Sequence, residues 1–322
     1  MTRRSRVMHD QRGQAMIFIV VGIVVIVAMA AVVVDVGAWF RGQRHLQTVA
    51  DAAALAGAQD LPNTGQALTT ALDYAQQNWN GVNPPSVTFP SQNEIKVHAT
   101  QPVDGIFSKI ISSTFASIDV HAKAVARIGV PASLRNIAPI SVKNTQEMLT
   151  GAGCGQSSPC FGSSNSTTLN FNESVLSSSS FGLIDLECPG GGCGGGAGTA
   201  KIIQWIDNGY QGYVDVNKDY PALTGQRIGP VRDALNRAVG RTLLFPVFDS
   251  ANDSAKTFHI ISWAAFVISE TVEPNEWKND VPGCRPNCKV LTGYFTEVLV
   301  QGFLSGSGSP PYFGVKVVNL VG

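Results

Sequence analysis

The longest hydrophobic pattern in the chain is an apolar run from Ala15 to Val34, which no charged or strongly polar residue interrupts. As a helix rising ~1.5 Å per residue, a run of this length reaches about 30 Å, the thickness of a bilayer core. The residues Asp35, Trp39, Phe40 and Arg41 follow it, and such side chains are typical of a helix that leaves lipid for headgroups and water. The pattern therefore predicts a transmembrane helix over residues 15–34.

The flanks of this run predict its orientation. A cleaved signal peptide is the alternative, but the run exceeds the ~7–15 residues of a usual apolar signal region and no turn follows it. Four arginines precede the run and two follow it closely: Arg3, Arg4, Arg6 and Arg12, then Arg41 and Arg44. Positive residues favour the cytoplasmic side. We therefore expect a cytoplasmic tail (residues 1–14), a single span in the cell (inner, cytoplasmic) membrane, and residues 35–322 outside the cytoplasm.

Helical periodicity continues beyond the span over residues 35–61. Small residues recur there at intervals of three and four and form a narrow face, which favours close packing of another backbone. Two interpretations remain open: a partner helix in a homo- or hetero-oligomer, or the globular part of the same chain. The helix-packing candidates are Asp35, Gly37, Ala50, Ala53, Ala54 and Gly57.

The remaining chain divides into two parts by pattern. Residues 62–130 predict a small α-β-β-α-β module, with a helix suggested by Ile106, Phe107, Ile110, Ile111 and Phe115 and an alternating strand from Ile118 to Ile128. Residues 131–322 predict a β-rich extracytoplasmic domain, in which the Gly- and Ser-rich segment 151–198 should form long loops or an insertion. The fold class expected is α+β.

Within residues 131–322, continuous apolarity from Phe258 to Ile268 predicts a central strand buried on both faces. A helix is expected from Pro230 to Arg241, and residues Ile202 to Ile206 fit either a strand or a short helix. Further strands are predicted for Thr242 to Phe248, Val290 to Leu304 and Tyr312 to Leu320, which are rich in Val, Ile, Phe and Tyr.

Charge and cysteine content narrow the classes of function. The chain has 23 basic and 23 acidic residues. The dense cationic cluster at its start is explained by the orientation of the span in the membrane, so no nucleic-acid partner is expected. The six cysteines form three near neighbours in sequence, which favours disulfides in an oxidising compartment, although their connectivity is not fixed by spacing. The disulfide candidates are Cys154 and Cys160, Cys188 and Cys193, and Cys284 and Cys288.

Several residues of the N-terminal segment occur in a recognisable order. Arg12-Gly-Gln-Ala15, the apolar span, Val34-Asp35-Val-Gly37, Arg44, Leu46-Gln47 and Ala50 to Ala58 follow one another. Over residues 12–58 this order resembles the N-terminal segment of the TadG-like proteins of bacterial Flp (Tad) pilus-assembly systems. The resemblance implies an envelope component that helps assemble or anchor a surface appendage, with pilus-assembly proteins or pilins as partners and roles in adhesion and secretion.

Two features depart from relatives of this kind. Pilins that are cut after a glycine carry a glutamate five residues later, whereas Phe18 follows Gly13 at that distance, so we expect no prepilin-type cleavage. Larger TadG proteins can carry a DxSxS metal motif after a strand, and the segment around Asp249 and Asp253 lacks that spacing. No metal site or cofactor is therefore expected.

The motif content of the chain favours a protein that is not an enzyme. The chain has no HExxH, GxSxG, Walker loop or dinucleotide fingerprint. Asp249, Asp253 and His259 are close in sequence, but aspartates beside a strand commonly cap turns. The alternative function is an anchored extracytoplasmic enzyme or ligand-binding protein, whose site would be assembled from scattered residues.

Overall fold

One continuous helix, α1 (Gln14–Gln59), runs through 46 residues and spans about 69 Å at the usual helical rise. It contains no proline, and the many alanines after the apolar run favour continuation of the helix. A computed structural model of the chain describes residues 14–79, 83–111, 116–172, 176–190, 196–224, 228–272, 288–302 and 310–321. The structure is of the α+β class, as predicted from the sequence.

Two compact units make up the chain. The N-terminal unit comprises Met1–Arg127 with Leu320–Gly322, and the C-terminal unit comprises Ile128–Asn319. Val321 near the chain end belongs to the first of these, where its amide donates to the carbonyl of Val125 at 2.8 Å. Each unit has its own set of buried apolar residues and is described separately.

The N-terminal unit packs α1 beside a second helix and three antiparallel strands. Asn63 caps α2 (Thr64–Asn78) by accepting a hydrogen bond from the amide of Gln66 at 3.1 Å. The strands β1 (Ser86–Ser91), β2 (Glu94–Asp104) and β3 (Ser117–Gly129) pair in sequence order. A four-residue helix, α3 (Ser108–Ile111), follows β2, so the predicted order α-β-β-α-β is confirmed.

The alternation of apolar and polar residues in β2 and β3 explains the buried face of these strands. Ile95, Val97 and Ala99 of β2 are buried, and so are Val120, Ala122, Ala124 and Ala126 of β3. The strand predicted from Ile118 to Ile128 is therefore confirmed. The helix suggested by Ile106 to Phe115 begins later than predicted, because Ile106 and Phe107 precede α3, and Phe115 lies outside the described residues.

The C-terminal unit is built on a mixed sheet that has seven strands within the described ranges. Its order is β6-β12-β11-β10-β5-β7, with β9 also paired to β11. The strands of this unit are β4 (Ser133–Leu134), β5 (Ile140–Lys143), β6 (Thr167–Asn172), β7 (Phe181–Leu183), β8 (Val214–Asp215), β9 (Lys218–Pro221), β10 (Thr242–Asn252), β11 (Thr257–Ile268), β12 (Cys288–Thr296), β13 (Val298–Leu299) and β14 (Val315–Leu320). Its helices are α4 (Glu147–Thr150), α5 (Thr199–Asn208) and α6 (Ile228–Arg237).

The strand β11 is central and almost wholly buried, as its continuous apolarity predicted. Phe266 on this strand contacts Phe245 and Phe295 with ring centroids 5.3 and 5.0 Å apart. Trp263 is fully buried, and its indole nitrogen donates to the carbonyl of Pro131 at 2.7 Å. The aromatic rings of three adjacent strands thus form the centre of this core.

Two sequence-based expectations for this unit need correction, and one alternative that the sequence left open is decided. The Gly- and Ser-rich segment 151–198 contributes β6 and β7, because its sparse apolar residues Leu169, Phe181 and Leu183 are buried in the core. Residues 202–206 form part of helix α5 and not a strand. The strand predicted from Val290 to Leu304 is interrupted after Thr296, where the chain leaves β11 and pairs with β14 through β13.

Candidate functional site: the anchor and its docked continuation

The first part of α1 exposes its apolar side chains on every face. From Met16 to Val34 the large hydrophobic side chains are between 44% and 76% exposed, and none of the most apolar window is buried within the chain. No soluble core helix would leave such a surface uncovered, because the contiguous apolar area far exceeds what a soluble protein presents to water. Lipid is the environment that satisfies it.

Asp35, the first acidic residue after this run, is only 4% exposed. Its Oδ1 accepts hydrogen bonds from the amides of Ile106 at 2.6 Å and Phe107 at 2.9 Å, and its Oδ2 accepts one from the amide of Ser108 at 2.6 Å. These are charge-assisted bonds, which are roughly twice as strong as bonds between neutral groups. The carboxylate thereby attaches the start of α3 to the point where α1 leaves the apolar span.

Gly105 lets the chain approach this carboxylate. A Cβ at this position would lie 1.9 Å from Oγ of Ser108 and 3.0 Å from Oδ2 of Asp35. A side chain here would therefore force the Ser108 hydroxyl to rotate away and would crowd the carboxylate. The sequence placed Asp35 at the lipid boundary but contained no indication of this partner, since the loop lies about seventy positions further along the chain.

The small-residue face of α1 is occupied by the N-terminal unit itself. Ala50, Ala53 and Ala54 are completely buried. A Cβ at Gly57 would lie 2.7 Å from Cδ1 of Ile95, 2.8 Å from the carbonyl oxygen of Ala67 and 2.9 Å from Cβ of Ala71. Of the two interpretations left open by the sequence, the structure supports docking within the same chain for these four residues.

The remaining small residues of α1 behave differently from one another. A Cβ at Gly37 would have no atom within 4 Å, so this glycine takes no part in the packing. Gly42, which the sequence analysis did not single out, faces β2: a Cβ there would lie 2.6 Å from Cγ2 of Val103. Its spacing of fifteen residues from Gly57 was the available signal, because it places both glycines within about 60° of one another around the helix.

The comparison with protein families bears on this same stretch. Residues 13–60 match the family model described as putative Flp pilus-assembly TadE/G-like. We call residues 13–60 the Tad segment because of this similarity. No curated protein and no solved structure matched the chain. The resemblance found in the sequence is thus confirmed over the anchor and its docked continuation, and the chain is a membrane-anchored protein that carries a Tad segment.

Beyond the Tad segment, the sequence favoured disulfides between neighbouring cysteines. Cys154 and Cys160 form a disulfide, with their Cα atoms 6.1 Å apart, and Cys188 is also disulfide-bonded. Cys193 and Cys284 lie outside the described residues, as does the side chain of Cys288. One of the three predicted local pairs is therefore confirmed, and the other two pairings stay predictions.

We expect the Cys154→Ser/Cys160→Ser double variant to lose about 2 kcal/mol of unfolding free energy in the C-terminal unit. The sequence separation of six residues closes a short loop, for which the chain-entropy relation gives this magnitude. Chemical denaturation of the oxidised wild type and the variant, followed by hydrogen exchange of β11, measures the difference. A variant as stable as the wild type would show that the disulfide constrains nothing in the unfolded chain.

The candidate catalytic residues of the C-terminal unit were Asp249, Asp253 and His259, which lie near the end of β10 and in β11. Asp253 accepts hydrogen bonds from Oγ of Ser177 at 2.6 Å and from the amide of Leu176 at 2.7 Å. The bond from the Ser177 hydroxyl, together with those from the amides, holds the pKa of Asp253 below its ordinary value. Asp253 therefore caps the turn at Leu176–Ser178, which is remote in sequence, and not the turn beside its own strand.

Asp249 and His259 form a separate pair on the surface, with Nδ1 of His259 2.9 Å from Oδ1 of Asp249. Burial raises the pKa of Asp249, but hydrogen bonds from His259 and Ser250 outweigh it and the pKa lies below its ordinary value. The Ser250 hydroxyl donates to Asp249 and not to His259, so these three residues do not form a nucleophile–base pair. Within the described ranges, no three His, Cys, Asp or Glu side chains are placed to hold a metal ion.

Proposed function

We propose that this protein is a single-pass component of the cytoplasmic membrane that assists the assembly or anchoring of Flp-type pili and, through them, surface adhesion. The observation that carries the proposal is the match of residues 13–60 to the TadE/G-like family model. This stretch includes both the lipid-exposed span and the helix that docks on the N-terminal unit. Its partners would be pilus-assembly proteins or pilins.

The packing of α1 limits where such partners can bind. Ala50, Ala53 and Ala54 are buried within the N-terminal unit, so they are not free to contact a second protein. An oligomer that forms through the N-terminal helix would instead use exposed positions of α1, among them the span, where Gly22 has open space around its Cα, and Phe40 beyond it. Small residues within a lipid-exposed helix allow a second helix to approach closely.

For topology, we expect protease added to intact spheroplasts to digest both units and to spare the residues before α1. The basic flank before the span favours a cytoplasmic N-terminus. Immunoblotting with epitope tags at either end distinguishes the two orientations. Protection of the C-terminal tag, together with loss of the N-terminal tag, would reverse the proposed orientation.

The function itself is tested by deleting the gene and restoring it from a plasmid. We expect deletion to abolish or strongly reduce surface pili, counted by electron microscopy, and adhesion to a solid surface. Complementation with the wild type should restore both, and a version whose span is replaced by a cleavable signal should not, because the anchor is then lost. Unchanged piliation, adhesion and secretion in the deletion strain would contradict the assembly function and favour an anchored enzyme or ligand-binding protein.

A further inference from the structure

The strand β2 descends along α1 toward the membrane. Gly57 of α1 lies against Ile95 near the start of β2, and Gly42 lies against Val103 near its end. Fifteen helical residues separate the two glycines, or about 22 Å of rise. Eight strand residues separate their two partners, or about 26 Å. These lengths agree, so β2 runs antiparallel to α1 and ends close to the lipid-exposed span.

The residues that follow β2 reach the lipid boundary. The amides of Ile106, Phe107 and Ser108 all donate to Asp35, which directly follows the apolar run. β3 then begins with Ser117 opposite Asp104 and leads back in the antiparallel direction. The segment 105–108 therefore lies at the level at which α1 emerges from lipid. We call this segment the boundary loop.

The boundary loop exposes apolar side chains at this level. Ile106 is 60% exposed and Phe107 is 37% exposed. Phe40 of α1, which lies about 7 Å beyond Asp35 by helical rise, is 61% exposed. Each would be unfavourable in water but is suited to the boundary between headgroups and acyl chains. Lys109 follows directly and is half exposed in its ion pair with Asp104, and lysine beside apolar anchors is favourable near lipid phosphates.

We propose that the boundary loop is a second membrane contact, in which Ile106 and Phe107 insert into the leaflet from which α1 emerges. The occupant of this apolar surface is the lipid bilayer, because the surface is continuous with the exposed face of the span. Asp35 attaches the loop rigidly to α1, so the span and the loop together fix the height and the tilt of the N-terminal unit. The proposal depends on the anchor and not on the role in pilus assembly.

The test uses the full-length protein in nanodiscs of phosphatidylcholine and phosphatidylglycerol. An environment-sensitive fluorescent amino acid replaces Ile106 in one sample and Leu68 in the other. Leu68 is a matched control, since it is 39% exposed and lies beside Ala67, which packs at the level of Gly57, about 33 Å beyond Asp35 by helical rise. Lipids that carry a nitroxide near the headgroup then serve as quenchers.

We expect nitroxide lipids to quench the probe at position 106 several-fold more than the probe at position 68, with emission at shorter wavelength. Equal quenching at both positions would overturn the proposal and show that the loop faces water or a protein partner. Hydrogen exchange of α2 in each sample verifies that the N-terminal unit is folded.

A second measurement does not need a probe in the loop. Energy transfer from a fluorophore at position 68 to labelled lipid headgroups reports the height of the N-terminal unit above the bilayer. The Ile106→Ser/Phe107→Ser double variant should broaden or shift the distribution of this height, whereas Tyr74→Ser, which removes an exposed ring from α2, should leave it unchanged. An unaltered distribution in the double variant would show that the loop does not hold the unit at the membrane.

Discussion

Replacing Gly57 with alanine should destabilise the N-terminal unit by about 2 kcal/mol, although the same change usually stabilises a helix. The added methyl group would lie 2.8 Å from the carbonyl oxygen of Ala67 and 2.9 Å from Cβ of Ala71. Neither atom can rotate away, since one belongs to the backbone and the other is fixed to it. Overpacking of a close-packed core typically costs about 1–3 kcal/mol, which exceeds the gain of up to about 1 kcal/mol from helix propensity.

Gly37→Ala is the matched control for this prediction. It places the same methyl group in the same helix at a position with no neighbouring atom within 4 Å, so we expect it to be neutral or slightly stabilising. Hydrogen exchange of the α2 amides in detergent-solubilised protein measures the opening of the N-terminal unit in both variants. Equal protection in the two would mean that α1 and α2 do not pack as closely as the glycine contacts indicate.

This prediction also changes what a bulky substitution in α1 would reveal. From the sequence alone, Ala54→Leu or Gly57→Ile would be expected to disrupt a partner helix while the protein remains at its normal level. For residues packed within the same chain we instead expect both changes to lower the amount of folded protein, because both positions are buried in the N-terminal unit. A loss of pili in these variants would first have to be separated from a loss of folded protein.

The anchor could be predicted from sequence because an uninterrupted apolar run has one stable environment. The small-residue face of α1 was also recognisable from sequence. The surface that packs against it was not, since Ala50, Ala53 and Gly57 indicate only that another backbone comes close. The partners of that face are Ile95 on β2 and Ala67 and Ala71 on α2. The sequence pattern of each of these elements shows that it has a buried face, but only the structure shows that this face packs against α1.

Asp35 illustrates a second limit of sequence reasoning. Its acidity and position predicted a lipid boundary, but its partners are backbone amides of residues 106–108. Backbone groups leave no signature in side-chain patterns, so the residue types at positions 105–108 did not identify this segment as the partner. In the C-terminal unit the same limit applies to segment 151–198, where abundant Gly and Ser concealed the few apolar residues that build β6 and β7.

The second large effect is expected from Asp35→Ala, which should cost the N-terminal unit about 3 kcal/mol of unfolding free energy. The substitution removes the acceptor of the amides of Ile106, Phe107 and Ser108. Hydrogen bonds to a charged group contribute about 1.5–3 kcal/mol, and this one carboxylate accepts such bonds from three amides. Asp35→Asn should be intermediate, because it retains one oxygen acceptor but not the charge.

Hydrogen exchange at residues 106–108 measures this effect directly. Asp73→Ala is the control, since it removes an exposed carboxylate from α2 that accepts a hydrogen bond from Gln77 at 2.6 Å, and surface substitutions of this kind stay within about 0.5 kcal/mol. We expect faster exchange of the loop amides in Asp35→Ala alone, while α1 remains inserted because its apolar span is unchanged. If both variants exchange alike, the carboxylate does not hold the boundary loop, and the N-terminal unit must be positioned at the membrane by the packing of Gly42 and Gly57 instead.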